Sequence, residues 1–380
     1  MPRLRSPSDL AIPARRKRAL SRRLLAWYAR CRRDLPWRRS RDPYRVWVSE
    51  IMLQQTQVAT VVPYFERFVA RFPSVHALAA ADEHEVLRWW EGLGYYRRAR
   101  QMHLAARRIM TEHGGEFPRD LETIERLPGI GRYTAGAIAS IAFDLPAPIL
   151  EANTARLFSR LVGFPGDVGS TTGKQSLWSV AERILPLRDC GTFNQALMEL
   201  GSLVCTPREP NCDACPLAGW CVAFARGWQQ KIPHARPKPA SQPVREAAVV
   251  LCRGGRVLLR RRSPHERWAG MWDFVRFPIT GDLGATAGTD LLGQIHARVG
   301  LSVNRPRQFA TLKHGVTRFR ITLDCYLATA RSSRATGPAD AWQWVAPDDL
   351  PDFALSTTGR KIADLLPAAL TARRAVTKRL

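Results

Sequence analysis

Apolar residues at Val46, Trp47, Ile51, Val58, Val61 and Val62 mix helical steps with a broadly apolar surround, and predict a largely buried helix beginning near Asp42-Pro43. The helical pattern continues from about Ser21 to Phe224, broken near Pro73, at Gly92-Leu93-Gly94 and at Gly114-Gly115. Prolines 233, 237, 239 and 243 then mark Trp228 to Arg245 as an extended connector. Beyond it the period changes. Ala247 to Cys252, Arg256 to Arg260 and Phe319 to Leu327 read as strands, the first two joined at Gly254-Gly255 as a hairpin, and Leu291 to Val299 and Thr357 to Leu366 read as helices. The expected fold class is therefore multidomain: an all-α part followed by an α+β part.

Within Tyr44 to Phe65 the only charge after Arg45 is Glu50. A lone carboxylate there either points to solvent or is a general acid whose pKa is raised by desolvation, because ionised carboxylates are rarely buried without a partner or a function.

At 380 residues and 45% hydrophobic content the chain can form two ordinary packed domains. Its net charge of +25 is shared: Lys and Arg outnumber Asp and Glu by 33 to 22 up to Gly227 and by 25 to 11 after it. A polyanion such as nucleic acid is expected to touch both parts, unless the excess reflects a generally Arg-rich proteome. No stretch of about 18 apolar residues suggests a membrane span, and the basic N-terminus lacks a secretory apolar core.

Four of the eight cysteines fall in Cys205-x6-Cys212-x2-Cys215-x5-Cys221. In a reducing compartment this set suggests metal or cluster ligation. A tetrahedral zinc and a [4Fe-4S] cluster both suit four thiolates, and the single Cys-x2-Cys knuckle favours the cluster. In Leu127-Pro-Gly-Ile-Gly131, Gly129 and Gly131 permit a tight turn that can present amides and a helix N-terminus to a phosphate, or serve as an ordinary interhelical turn.

Taken with Leu35-Pro-Trp37, Val46 to Gln57 and Gly92-Leu-Gly-Tyr-Tyr96, these stretches resemble the adenine DNA glycosylases of the MutY type, in the helix-hairpin-helix glycosylase superfamily, over nearly the whole chain. The resemblance implies a basic, disordered arm at 1–18 and a helical glycosylase domain at 19–227. That domain would comprise a six-helix barrel about 32–144 and a cluster module from 19–31 and 145–227. A connector at 228–245, a Nudix-like lesion-recognition domain at 246–370 and a basic tail at 371–380 would follow. It implies a [4Fe-4S] cofactor, double-stranded DNA with an adenine mispair as partner, and a monomer, cytoplasmic in a bacterium or nuclear in a eukaryote.

By the same resemblance Glu50 protonates adenine at N7, and a second carboxylate stabilises the oxocarbenium-like sugar. The family has Asp at that second position and this chain has Glu151, which could instead only support the following helix N-terminus. Tyr133 stands where bifunctional relatives carry a Schiff-base Lys, so the reaction is expected to stop at an abasic site. Tyr133 and Asn153 would hold the catalytic network. Gln54, Gln55, Thr56 and Tyr95 would contact DNA around the flipped base, although alone they read as a polar helix face and a core aromatic. Arg97, Arg98 and Arg100 are a basic cluster suited to phosphates or to a solvated face.

Val257 to Arg262 and Trp268 to Phe274 are similar to the Nudix-like domain of these glycosylases. Gly281 to Leu301 contains no Glu, so metal-dependent pyrophosphate hydrolysis is not expected. Thr317 and Arg318 occupy the Ser and His places of the family's Phe-Ser-His loop, which recognises 8-oxoguanine. The competing readings are an endonuclease III-like glycosylase and lyase, and a non-catalytic lesion-binding protein.

Overall fold

The computed structural model describes residues 14–234, 240–279, 287–316, 318–336, 338 and 341–377. By contacts the chain forms two units, Met1–Ala80 with Gln101–Pro237, and Ala81–Arg100 with Lys238–Leu380. The second unit thus recruits a short segment from the middle of the helical part.

The first unit is helical. Its α1 (Ala14–Cys31) takes in the last five residues of the expected N-terminal arm, and its Leu20 and Leu24 share an apolar cluster with Phe158, Phe193 and Leu197. Asp42 caps α2 (Pro43–Leu53), its carboxylate accepting from Tyr44 N at 3.0 Å, with Pro43 at the first helical position. The single helix expected across this stretch is two. α2 stops at Leu53, Gln55 turns through φ 58°, and α3 (Val58–Arg71) starts anew, although the apolar spacing runs on without a break.

α4 (Val75–Ala80) follows in the first unit, and α5 (Glu83–Trp90) belongs to the second. α6 (Arg97–His113) and α7 (Leu121–Glu125) lead to the turn before α8 (Arg132–Phe143). In that turn Gly129 has φ 77°, and a Cβ there would lie 2.6 Å from Cβ of Gln101, so only glycine fits.

α8 packs on α2 and on α11 (Cys190–Leu203), and α11 also packs on α1 and α9 (Ala152–Val162). Asn194 ties α11 down by donating to Ser140 Oγ and Ala147 O, both at 2.9 Å. α10 (Thr171–Ile184) closes the core shared with α1, and the short α12 (Val222–Ala225) follows the last cysteine.

The second unit is built on a mixed sheet. β1 (Gln242–Arg253) runs parallel to β6 (Phe319–Thr329), and β5 (Arg307–Val316) pairs antiparallel with β6. On the other side β2 (Arg256–Arg261) pairs with β3 (Trp272–Asp273) and β7 (Trp342–Val345), while β4 (Val275–Pro278) pairs with β1. β1 starts at Gln242, inside the expected connector, because its ladder with β6 extends back to Gln242 opposite Phe319. Gly254 and Gly255, at φ 53° and 76°, form the two-residue hairpin loop.

α13 (Ala287–Val299) covers one sheet face through Leu291 and Ile295, and α14 (Thr357–Thr377) covers the other through Ile362 and Leu366. Glu91 secures the 81–100 segment, accepting from Arg360 at 2.6 and 3.0 Å and from Leu355 N at 3.1 Å. His84 accepts from Ala354 N at 3.1 Å.

Candidate active site and DNA-facing elements

A cavity of about 370 Å³ opens among α2, α8, α9 and α11, a size suited to a small ligand. Glu50, Tyr133, Glu151 and Asn153 all line it. Glu50 is only 4% exposed, and its Oε2 accepts a 2.6 Å hydrogen bond from the Tyr133 hydroxyl on the facing helix. Burial pushes the Glu50 carboxyl up to about 7. The Tyr133 bond opposes that rise, the nearby Glu151 charge adds to it, and Arg38 opposes it weakly. Tyr133 is itself held well above its ordinary pKa by burial and by the two carboxylates, so it remains a neutral donor.

Glu151 does two things at once. It is the N-cap of α9: Oε2 accepts from Asn153 N at 2.8 Å, Oε1 from Thr154 N at 2.9 Å, and the Thr154 hydroxyl accepts from Glu151 N at 2.8 Å. The same carboxylate faces the cavity. Burial raises its pKa, against the pull of those two amides and the Arg156 charge. Arg156 Nη2 donates to Asn153 Oδ1 at 2.9 Å and to Gly201 O at 2.6 Å, fixing the Asn153 side chain.

One wall was not singled out from the sequence. Glu199 on α11 is fully buried and receives Arg33 at 2.6 to 3.0 Å and Arg38 at 2.9 and 3.0 Å. Burial raises its carboxyl, but the hydrogen bonds from the two guanidinium groups prevail and hold it at about 2. Its signal was the one that marked Glu50: a single charge in the otherwise uncharged stretch Cys190 to Leu203.

The other expected residues are spread more widely. Gln54 donates to Thr134 Oγ1 at 3.3 Å, Thr56 lines the cavity, and Gln55 is exposed in a left-handed conformation. Tyr95 is 52% exposed at φ 48°, with the Arg98 guanidinium 5.5 Å from its ring. Of the basic cluster, Arg98 turns inward. It stacks over Trp90 and donates to Leu93 O and Gly94 O, and burial lowers its pKa to about 10.

Leu127 is buried beneath the glycine turn, while Gly131 is the exposed N-cap of α8 with no side-chain cap. Arg318 lies exposed between β5 and β6, its guanidinium 5.2 Å from the Phe319 ring; Thr317 lies outside the described residues.

Cys205, Cys212, Cys215 and Cys221 form no disulfide among the described residues and line one pocket at the end of α9. Burial raises Cys215 to about 12, and Cys212 and Cys221 also above their ordinary range, while Arg160 Nη1 stands 3.4 Å from Cys205 Sγ. Among the described residues no three His, Cys, Asp or Glu side chains converge as a single-ion site would require. Four soft donors around one enclosed space fit an iron-sulfur cluster.

The family pattern of an HhH-GPD superfamily base excision DNA repair protein matches residues 48–182, the helices around the cavity. A NUDIX domain pattern matches 246–365, and the iron-sulfur binding domain of endonuclease III matches 205–221. These elements define a DNA glycosylase of base-excision repair. The human adenine DNA glycosylase is 34% identical over 89% of this chain and 72% of its own length, and that of Buchnera aphidicola from Schizaphis graminum is 37% identical over 68% and 74%. The mouse adenine DNA glycosylase is 40% identical over 74% of this chain and 57% of its own length.

The chain belongs to the adenine DNA glycosylase family: it is a DNA-acting, hydrolytic base-excision enzyme with a [4Fe-4S] cluster, a helical HhH-GPD domain and a C-terminal Nudix-like domain. No helix among the described residues is long and apolar enough to cross a membrane.

Proposed function

We propose that the chain removes adenine from pairs with 8-oxoguanine or guanine, working as a single chain and leaving an abasic site. The observation that carries this reading is the buried Glu50, held by the Tyr133 hydroxyl at 2.6 Å in a cavity it shares with Glu151, its carboxyl pushed up to about 7 by burial. A flipped adenine enters the cavity, and protonated Glu50 gives its proton to N7. The C1′–N9 bond breaks and its electron pair leaves with the base. The sugar becomes oxocarbenium-like, stabilised by the Glu151 carboxylate, whose orientation is fixed by the α9 amides. Water adds at C1′ and loses its proton to the Glu50 carboxylate, which restores the acid.

Tyr133 offers no amine for a Schiff base, which favours hydrolysis over lyase chemistry. Cys205, Cys212, Cys215 and Cys221 hold the cluster, which ties the loop after α11 into a fixed shape for docking DNA. Gln55, Tyr95 and the Gly129 to Gly131 turn grip the strand, Tyr95 by presenting an exposed ring beside the opposite base. Arg318, with Thr317, reads that base. Single-turnover excision on duplexes with adenine opposite 8-oxoguanine, guanine and thymine tests the reading. Release opposite the first two supports it, and equal release from all three overturns the assigned mispair.

A further inference from the structure

Tyr95 presents its exposed ring from a backbone that resists a side chain. Gly92, Gly94 and Tyr95 have φ of 98°, 69° and 48°, and of the three only Tyr95 has a Cβ to place in the left-handed region. A residue stays there only where its surroundings leave it no other conformation. A ring that parts stacked bases needs such a fixed support, because unstacking costs free energy and pushes back on whatever inserts.

Both ends of the 92–95 loop are tied to one helix turn of the C-terminal unit. On the near side Glu91, the C-cap of α5, receives Arg360 Nε at 2.6 Å and Nη2 at 3.0 Å. This is a paired carboxylate and guanidinium contact, with the Glu91 side chain 14% and the Arg360 side chain 25% exposed. On the far side the buried Tyr96 has its hydroxyl 3.4 Å from that of Thr357. Thr357 and Arg360 stand three residues apart on the first turn of α14, and so share a face of that helix.

Arg360 is itself fixed, since its Nη1 and Nη2 donate to Leu350 O at 2.9 Å and Phe353 O at 2.8 Å. Across the loop Arg98 donates to Leu93 O and Gly94 O, with its guanidinium 5.5 Å from the Tyr95 ring.

We propose that Glu91 and Arg360 are positioning residues for Tyr95, holding its loop so that the ring enters the duplex as adenine turns out. The inference rests on the reading of Tyr95 as the ring beside the opposite base. Glu91 and Arg360 act through the loop and not on the reacting atoms, since neither lines the cavity that holds Glu50 and Glu151. Glu91, Tyr95, Arg318 and Arg360 all belong to one compact unit, so the ring and the proposed reader of the opposite base share a framework.

The test is stack opening, read by stopped-flow fluorescence of 2-aminopurine beside the target adenine, in a duplex with adenine opposite 8-oxoguanine and with the full-length holoprotein. Tyr95→Ala should slow opening about tenfold or more. Glu91→Ala and Arg360→Ala should each reproduce part of that loss. In the Tyr95→Ala background Glu91→Ala should cost nothing further, because the residue it acts through is gone. Thermal unfolding and the visible absorbance of the cluster identify folded variants, and Glu91→Gln, which keeps one acceptor oxygen, stands in if Glu91→Ala does not fold.

Losses from Tyr95→Ala and Glu91→Ala that multiply would overturn the proposal by making Glu91 a residue that only holds the fold. Wild-type opening in a folded Glu91→Ala, with Tyr95→Ala slow, would overturn it and leave Tyr95 its place beside the opposite base. Wild-type opening in Tyr95→Ala would overturn that placement, and the proposal with it.

Discussion

The Tyr133 hydroxyl donates to Oε2 of Glu50 at 2.6 Å, joining α8 to α2 at the floor of the cavity. That bond stabilises the ionised carboxylate, while burial and the Glu151 charge favour the protonated form, and the balance settles at about 7. A general acid is most effective when its pKa lies near the working pH.

Removing the hydroxyl removes the one strong influence that lowers the Glu50 pKa. Tyr133→Phe should therefore move the descending limb of the excision rate to higher pH. A purely structural role for Tyr133 would lower the rate without moving the limb, and rate measurements from pH 5 to 9 separate the two.

Glu50 costs stability where it is charged. Its native pKa of about 7 exceeds the ordinary 4.5, so the native state holds a proton that the unfolded chain releases between those values. Stability from this group is full below about pH 4.5 and falls as pH rises to about 7, with a loss of about 3 kcal/mol above it. Glu50→Gln keeps an acceptor for Tyr133 and removes the charge. Denaturant unfolding should show the variant more stable than wild type at pH 8, by up to about 3 kcal/mol, and equal to it at pH 4.

At Glu151 the two carboxylate oxygens serve two amides, and the charge serves the proposed sugar cation. Glu151→Gln turns one of the two acceptor oxygens into an NH2 donor and carries no charge, so it should cost about 1 kcal/mol of stability and about 10²-fold or more in excision. Glu151→Asp retains a favoured N-cap residue and the charge. Single-turnover excision by the Asp variant within about tenfold of wild type fits a charge-based role, whereas wild-type activity in the Gln variant would reduce Glu151 to a helix cap.

Arg318→Ala should slow excision opposite 8-oxoguanine more than opposite guanine, because an exposed guanidinium at the β5–β6 turn can supply donors to the lesion. Equal slowing on both substrates would make it a backbone contact. The ratio of the two single-turnover rates decides.

Much of this site was legible where one residue contradicts its surroundings. A single charge in an apolar stretch marked Glu50, and the cysteine spacing marked the cluster loop. The same lone-charge signal was present at Glu199 and was passed over. Its partners Arg33 and Arg38 are more than 160 residues away in sequence, and only folding brings them to it.

The break between α2 and α3 was hidden because the apolar period crosses it, and only the backbone of Gln55 reveals it. Nor could the sequence assign residues 81–100 to the C-terminal unit, since that depends on Glu91 meeting Arg360 across 269 positions. The dual position of Glu151 was half visible. Capping and catalysis read as alternatives in the sequence, and the residue that caps α9 also lines the cavity with Glu50.

The central claim is that protonated Glu50 donates the proton that releases adenine. The direct measurement is the single-turnover excision rate on an adenine and 8-oxoguanine duplex across pH 5 to 9, for wild type and Glu50→Gln. The wild-type rate should fall tenfold per pH unit above about 7, with Glu50→Gln lower by about 10²-fold or more and flat, while both bind the duplex equally. A Glu50→Gln rate near wild type, or a wild-type rate that rises through pH 7, would contradict it.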